Sequence, residues 1–342
     1  LLTKNLIAVP NDPPEFSRNE VRERLRAHLP ERLDNHEVLR IIGSGAYGDV
    51  VLARNTVTRA YRAIKIVWRT AFRDERPYQR ELAAIRHFEP ISRSHEGFVQ
   101  ILQVGELENA FYYIMELADD ARTGTSTVPE DYAPRSLVRS SLAPWPLNEC
   151  IQIGIHLARA LDVLHQSNLI HRDIKPSNII FVNGKPKLAD IGLVTQISDA
   201  NSFVGTTGFV PPEGPVGPPS DIFSLGKVLY EIASGKDRCD FPDLPDPLPD
   251  DQALYLELNQ IMLKACAPQA DRRYATAEAM RQELELLEAG ASIKRLRQLQ
   301  RRFKLAAVSA LVLAVLVVMG LIGKAVRDRE LAAKNRRVAY ML

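Results

Sequence analysis

Apolar and polar positions alternate through VLRIIGSGAYGDVVLA (38–53) and again through YRAIKIV (61–67), the period of a half-buried strand, and a glycine-rich turn interrupts the first run. In YQRELAAIRHF (78–88) the period lengthens, with Leu82, Ile85 and Phe88 recurring at helical spacing. Residues 98–104 and 111–117 read as two strands of a meander across the polar turn GELENA. A helix from about Leu147 to Gln166 puts Ile151, Ile155, Ala158, Leu161 and Leu164 on one inner face. Two short strands follow, IIFV (179–182) and KPKLA, around Asn183-Gly184, the strongest two-residue hairpin signal. Helical runs come last, at 220–235 and near 252–266 and 276–289, while 121–146, rich in Thr, Ser, Pro and Arg, reads as an irregular insertion.

One apolar run differs from all of these. LAAVSALVLAVLVVMGLIG, 305–323, carries no charge over nineteen residues, is apolar on every face and has Lys/Arg clusters at both ends. That is the length a helix needs to cross a bilayer, so it predicts one transmembrane helix rather than a buried core helix, and its position excludes a signal peptide. The formal net charge of +2 hides an asymmetry: residues 294–342 hold twelve Lys/Arg against two Asp/Glu, which leaves 32 basic and 40 acidic residues in 1–293. The basic excess therefore sits beside the apolar run, in a juxtamembrane linker (291–304) that anionic headgroups would favour. Residues 1–35 read as an N-terminal extension, and 324–342 as the start of a charged segment, apparently truncated; the absence of an initial Met likewise suggests a fragment. Three cysteines, Cys150, Cys239 and Cys266, without metal-like spacing, are what a reducing compartment leads one to expect.

The chemistry concentrates in HRDIKPSNIIFVNGKPKLADIG, 171–192. The hairpin brings Asp173 and Asn178, which precede it, close to Asp190, which follows it. Two carboxylates, an amide oxygen and the ammonium of Lys175 suit an oxygen-ligated divalent metal and a phosphate. Upstream, Gly43, Gly45 and Gly48 form G-x-G-x-x-G, a spelling shared with dinucleotide-binding turns, but here the turn runs into a strand where a dinucleotide site needs a helix. Lys65 stands in the middle of a strand, which is costly unless it is paired.

These motifs, in this order and spacing over roughly residues 38–289, resemble the protein kinase superfamily, and in particular the membrane-anchored eukaryotic-like (Hanks-type) serine/threonine kinases of bacteria. The resemblance implies an α+β bilobal fold: a small antiparallel-sheet N-lobe (about 36–116) and a mostly helical C-lobe (about 119–290) in a domain over 36–290. It implies ATP and Mg²⁺ as cofactors. Asp173 would accept the substrate hydroxyl proton, Lys175 steady the γ-phosphate, and Asn178 and Asp190 hold Mg²⁺. Lys65 would contact the α/β-phosphates and pair with a helix Glu, Glu81 ahead of Glu75 and Glu89; Val50 and Ala63 would sandwich the purine, Met115 line the back of the pocket, and Glu116 and Ala118 offer backbone groups to adenine. Thr206, in GTTGFVPPE, stands where serine/threonine-specific members place a Thr beside the catalytic Asp and Lys. Ile191 replaces the family's usual Phe, Phe209 a Tyr and Pro211 an Ala. Glu213 should pair with Arg273, ahead of Arg272, and Asp221 should anchor the catalytic-loop backbone. Arg172 implies an activation-loop phosphate, with Ser198 or Ser202 as candidates.

Six Lys/Arg on either side of the apolar run do not orient it, so the need for ATP does, placing the kinase domain in the cytosol, at a bacterial inner membrane. The expected function is transfer of the ATP γ-phosphate to Ser/Thr of protein substrates, in membrane-associated signalling, by a single-pass protein for which a homodimer is plausible and no nucleic-acid partner is expected. The alternatives are a pseudokinase scaffold that binds nucleotide without transfer, disfavoured because Lys65, Asp173 and Asp190 are all present, and a small-molecule kinase, disfavoured by the Pro-Pro-Glu segment end and the helix bearing Asp221.

Overall fold

The computed structural model describes residues 31–290, apart from 46, 73, 125–129, 139–142, 191–194 and 197–205, and beyond them Met319. The chain divides into two units, Leu1–Glu288 and Ala289–Leu342. The expected membrane helix (Met319 excepted), basic linker and C-terminal segment lie outside the described residues, as do Ser198 and Ser202. Among the described residues no helix is long and apolar enough to cross a membrane.

The alternating runs form an antiparallel sheet of six strands: β1 (Arg32–Leu33), β2 (His36–Ser44), β3 (Gly48–Asn55), β4 (Tyr61–Trp68), β5 (Ile101–Leu107) and β6 (Ala110–Met115), in the order β1-β2-β3-β4-β6-β5. Because successive strand side chains point to opposite faces, alternation decides what each face carries. Leu33, Val51, Ala53, Ile64, Ile66, Ala110, Tyr112 and Ile114 form a buried apolar cluster. The intervening positions Val50, Ala63, Lys65, Tyr113 and Met115 share the other face, with Val50 opposite Lys65, Lys65 opposite Tyr113 and Ala63 opposite Met115. Helix α1 (Glu75–Ser92) buries Tyr78, Leu82, Ile85 and Phe88 at the predicted spacing, and Glu81 with them.

The sheet starts earlier in the chain and its meander turns more tightly than the pattern suggested, although β5 begins at Ile101 where a strand from 98 was expected. Arg32 and Leu33 pair with Glu37 and His36, so the last residues of the expected N-terminal extension join the sheet. Strand β5 continues through Leu107 and β6 starts at Ala110, which shrinks the GELENA turn to Glu108-Asn109.

In the second lobe α2 (Leu147–Gln166) runs between the predicted residues, followed by β7 (Leu169–Ile170), the hairpin β8 (Ile179–Val182) and β9 (Lys185–Leu188), and β10 (Thr195–Gln196), which pairs with β7. Asn183 and Gly184 both take left-handed backbone, φ 52° and 74°, as a tight hairpin of this twist requires. Helices α3 (Pro218–Ser234), α4 (Gln252–Ala265) and α5 (Ala277–Glu288) complete the lobe. Its core joins Leu157, Leu161 and Leu164 of α2 with Ile222, Leu225 and Leu229 of α3, Leu258 and Ile261 of α4, and Met280 and Leu284 of α5, all fully buried. The hairpin is also tied to the first lobe, since Val99 N donates to Leu188 O and Leu188 N to Gly97 O.

Part of the 121–146 insertion packs beside the hinge and hairpin. Leu137 N donates to Ile179 O, Phe181 N to Arg135 O, and the Tyr132 hydroxyl to Ala118 O at 3.0 Å. The Arg135 guanidinium lies over the Phe181 ring, 4.3 Å from its centre.

Candidate active site

The loop between β7 and β8 is fixed from below by one buried carboxylate. Asp221, in the first turn of α3, accepts the backbone N–H groups of His171 (2.8 Å) and Arg172 (2.9 Å) and the His165 ring N–H at 2.9 Å. Burial opposes its charge, but these bonds outweigh it and hold the carboxyl below its ordinary range. So anchored, the loop holds Arg172 at φ +72°, and after the hairpin Asp190 stands at φ +55°. Left-handed backbone at two residues other than Gly or Asn is strain of the kind that gathers at functional sites.

Above this anchor four polar side chains close on one another. Asp173 Oδ1 accepts the Thr206 hydroxyl at 2.8 Å, and its Oδ2 accepts Asn178 Nδ2 and pairs with Lys175 Nζ, each at 2.8 Å. Lys175 Nζ also donates to Thr206 Oγ1 at 2.8 Å. Asn178 donates to the Asp173 backbone carbonyl as well, so its amide nitrogen is committed and its oxygen remains, with only a long contact from Ser177 Oγ at 3.4 Å among the described residues. The Asn178 carbonyl accepts from Ala189 N at 2.8 Å, which sets Asp190 next to Asn178 through the backbone.

Lys65 reaches this group from β4 by ion-pairing with Asp190 Oδ1. Burial works to lower the lysine's pKa, but Tyr113, Asp190 and Glu81 outweigh it and raise the pKa above its ordinary value. Burial likewise opposes the Asp190 charge, and Lys65 more than compensates, holding that carboxyl low. Glu81 is brought to the same neighbourhood, but among the described residues it makes no ion pair with Lys65, and its Oε1 has no partner. Burial pushes the Glu81 carboxyl up to about 7, Lys65 acting against the rise.

The remaining expected contacts line the lobe junction. Met115 ends β6 and lies opposite Ala63. Glu116 N donates to Gln100 O and its carboxylate accepts Gln100 N at 2.9 Å and Lys187 Nζ, which leaves the Glu116 carbonyl and the Ala118 N–H without a bond among the described residues. Gly43 closes the β2 side opposite Val50, and Gly45 N donates to Gly48 O at 2.8 Å. Gly48 has a different constraint: a Cβ there would lie 1.9 Å from Ile66 O, so the strands meet only because it is glycine.

Three further contacts surround the site, and the last was not foreseen. Arg273, its side chain fully buried, forms a two-pronged pair with Glu213, with Nη2 to Oε2 at 2.9 Å. Arg172 is buried beside a second cation, Arg80 of α1. Asp119, which sequence reasoning passed over, is 1% exposed and accepts the N–H groups of both hairpin-turn residues, Asn183 at 2.9 Å and Gly184 at 2.8 Å.

The profile of the protein kinase domain matches residues 36–284. The chain belongs to the protein kinase domain family. A protein kinase domain implies use of ATP and a protein acceptor. The chain is 30% identical over 289 residues to the serine/threonine-protein kinase PknB of Mycobacterium leprae, covering 76% of this chain and 44% of that protein. It is 27% identical over 279 residues to the serine/threonine-protein kinase PrkC of Bacillus subtilis, covering 73% and 40%. The chain thus spans less than half the length of these bacterial kinases.

Proposed function

We propose that this chain is the kinase-bearing part of a serine/threonine protein kinase that transfers the ATP γ-phosphate to Ser or Thr hydroxyls of protein substrates. The observation that carries the reading is the Thr206 hydroxyl, which donates to Asp173 and accepts from Lys175. A threonine holding both residues sets the carboxylate that takes a hydroxyl proton beside the ammonium that meets the γ-phosphate. Lys65, on the sheet face that carries Val50, Ala63 and Met115, is the charge for the α/β-phosphates. The unengaged Glu116 carbonyl and Ala118 N–H offer adenine an acceptor and a donor.

The donor set fits Mg²⁺. Asn178 Oδ1 and the Asp190 carboxylate are two hard oxygen ligands at adjoining backbone positions, and Mg²⁺ takes one or two carboxylates plus phosphate oxygens and water. When bound, the metal would neutralise charge building on the transferred phosphate. The chain's own residues then do the positioning: Asp173 accepts the hydroxyl proton, Lys175 and Lys65 hold phosphate charge, and Glu81 orients Lys65.

The kinase domain is placed at 36–290, after an N-terminal extension and before a basic linker (291–304) and a membrane helix at 305–323. The uncharged run between two clusters of six Lys/Arg supports that anchor, with the kinase domain on the cytoplasmic side of a bacterial inner membrane, where ATP is. A homodimer and phosphorylation at Ser198 or Ser202, read by the Arg172–Arg80 cations, belong to the same proposal. The test is transfer from radiolabelled ATP with Mg²⁺ to a generic basic protein, beside the Asp173→Asn variant. Label on Ser and Thr that is lost in the variant is the expected result, and equal incorporation by both proteins would reject it.

A further inference from the structure

Among the described residues two buried oxygens beside Lys65 lack a hydrogen bond of good geometry: Oε1 of Glu81, a residue 4% exposed, and the hydroxyl of Tyr113, 1% exposed. A buried polar group without a partner costs free energy, so two within one site point to a state of the protein in which both are satisfied. The strand register decides where Tyr113 stands. It is directly opposite Lys65 across β4 and β6, so both side chains leave the sheet on the face that carries Val50, Ala63 and Met115. A phenylalanine there would fill the same volume without burying a hydroxyl. The charged neighbours of the Tyr113 hydroxyl are Lys65, Asp190 and Glu81. Lys65 is ion-paired with Asp190.

We infer that Tyr113 is a positioning residue for phosphoryl transfer: with nucleotide bound, its hydroxyl donates to Glu81 Oε1 and holds that carboxylate toward Lys65. The inference rests on the kinase reading above. Once Asp190 turns to its place in the loaded site, Lys65 needs a second anion, and Glu81 is the carboxylate within reach. Burial works against the Glu81 charge, and a hydroxyl donor favours the ionised form of a carboxyl. The phenolic oxygen keeps lone pairs for the ammonium, so a single hydroxyl can bridge both members of the pair and leave neither oxygen unsatisfied.

The test is Tyr113→Phe, which keeps the ring and removes the hydroxyl. Without nucleotide its thermal midpoint should be unchanged or higher, because an unpartnered hydroxyl has been removed. With nucleotide, kcat should fall about tenfold and affinity for a non-hydrolysable ATP analogue with Mg²⁺ about threefold. In a Glu81→Gln background the same substitution should have no further effect on either, since the two residues act as one unit. Wild-type kcat and affinity in Tyr113→Phe, an undiminished effect in the Glu81→Gln background, or a nucleotide-free midpoint lowered by several degrees would each overturn the inference, the last by showing a merely structural tyrosine. A wild-type chain that transfers no phosphate would count against the kinase reading instead, and the nucleotide affinities of wild type and Tyr113→Phe would then decide the hydroxyl's role, equality overturning it.

Discussion

The Lys65 ammonium rests on the Asp190 carboxylate, and Glu81, buried beside them, makes no ion pair with it among the described residues. The choice follows from the two carboxyls' surroundings. Burial opposes the Asp190 charge, but Lys65 more than compensates and holds the carboxyl below its ordinary range, so it is ionised at neutral pH. Burial pushes the Glu81 carboxyl up to about 7, Lys65 acting against the rise, so part of the population carries no charge to attract the lysine. The better anion holds the lysine.

That imbalance has a sign that stability measurements can read. Between the unfolded value of 4.5 and about 7, folded Glu81 binds more protons than the unfolded chain does. Nucleotide-free stability should therefore fall as pH rises through this window, by at most roughly 3 kcal/mol. His36, His95 and His156, whose pKa values burial lowers, act in the opposite sense and gain stability as pH rises. The informative quantity is the difference between wild type and Glu81→Gln, which removes one slope and keeps the others. Urea midpoints at pH 5 and pH 8 that shift equally in both proteins would show that Glu81 titrates as an ordinary exposed carboxyl.

Asp173 and Thr206 should separate chemistry from binding. Asp173→Asn keeps an oxygen for the Thr206 hydroxyl but removes the group that accepts a proton, so transfer should fall on the order of 10²–10⁴-fold. Nucleotide affinity, which depends on the lobe junction and Lys65, should stay within about threefold. Thr206→Val keeps the volume and cuts both hydroxyl bonds, leaving Asp173 and Lys175 paired but untethered; a loss of about tenfold in kcat is expected from one removed positioning contact. Steady-state kinetics on both variants suffices, and a Thr206→Val enzyme with wild-type kcat would show the threonine to be a bystander.

The glycines of the β2–β3 turn should divide by function. A Cβ on Gly48 would lie 1.9 Å from Ile66 O and 2.9 Å from Ile66 C, both backbone atoms of a paired strand, so Gly48→Ala should cost about 2 kcal/mol or more. The nearest atom to a Cβ on Gly45 is 3.8 Å away, so Gly45→Ala should melt with the wild type and show its effect only in nucleotide affinity. Thermal melts and nucleotide titrations of the two variants test this, and equal melting temperatures would contradict the packing argument for Gly48.

Sequence legibility follows the range of the interactions involved. Lys65, Asp173, Asn178 and Asp190 were readable because a strand, a loop and a tight hairpin set them within a few residues of a recognisable turn or period. The ends of α2 were readable for the same local reason. The partner chosen by Lys65 was not, since two carboxylates compete and their ionisation depends on burial set by the whole fold. Nor was the place of the 121–146 insertion: its composition says irregular, but its backbone bonds to the hairpin through Arg135 and Leu137, with no alternation to announce a strand.

Asp119 is the plainest case of a residue invisible in sequence, because Asp120 beside it offers the same carboxylate and only the fold says which one turns to the hairpin. Asp119 receives the N–H groups of Asn183 and Gly184, and its own backbone N–H and carbonyl bond to Phe181 O and Arg135 N, both at 2.8 Å. Asp120 instead caps the insertion, accepting Thr123 N at 2.9 Å and Ala133 N at 3.1 Å. Asp119→Ala should cost about 2 kcal/mol by leaving two turn donors without their acceptor. It should also raise the Mg²⁺ concentration needed for half-maximal transfer, because the hairpin is what holds Asp190 against Asn178. Asp120→Ala should lose comparable stability and leave the Mg²⁺ requirement unchanged. Denaturant melts with Mg²⁺ titrations on both variants decide the matter: if Asp120→Ala shifts the metal requirement as far as Asp119→Ala does, the hairpin is not what sets the metal-binding pair.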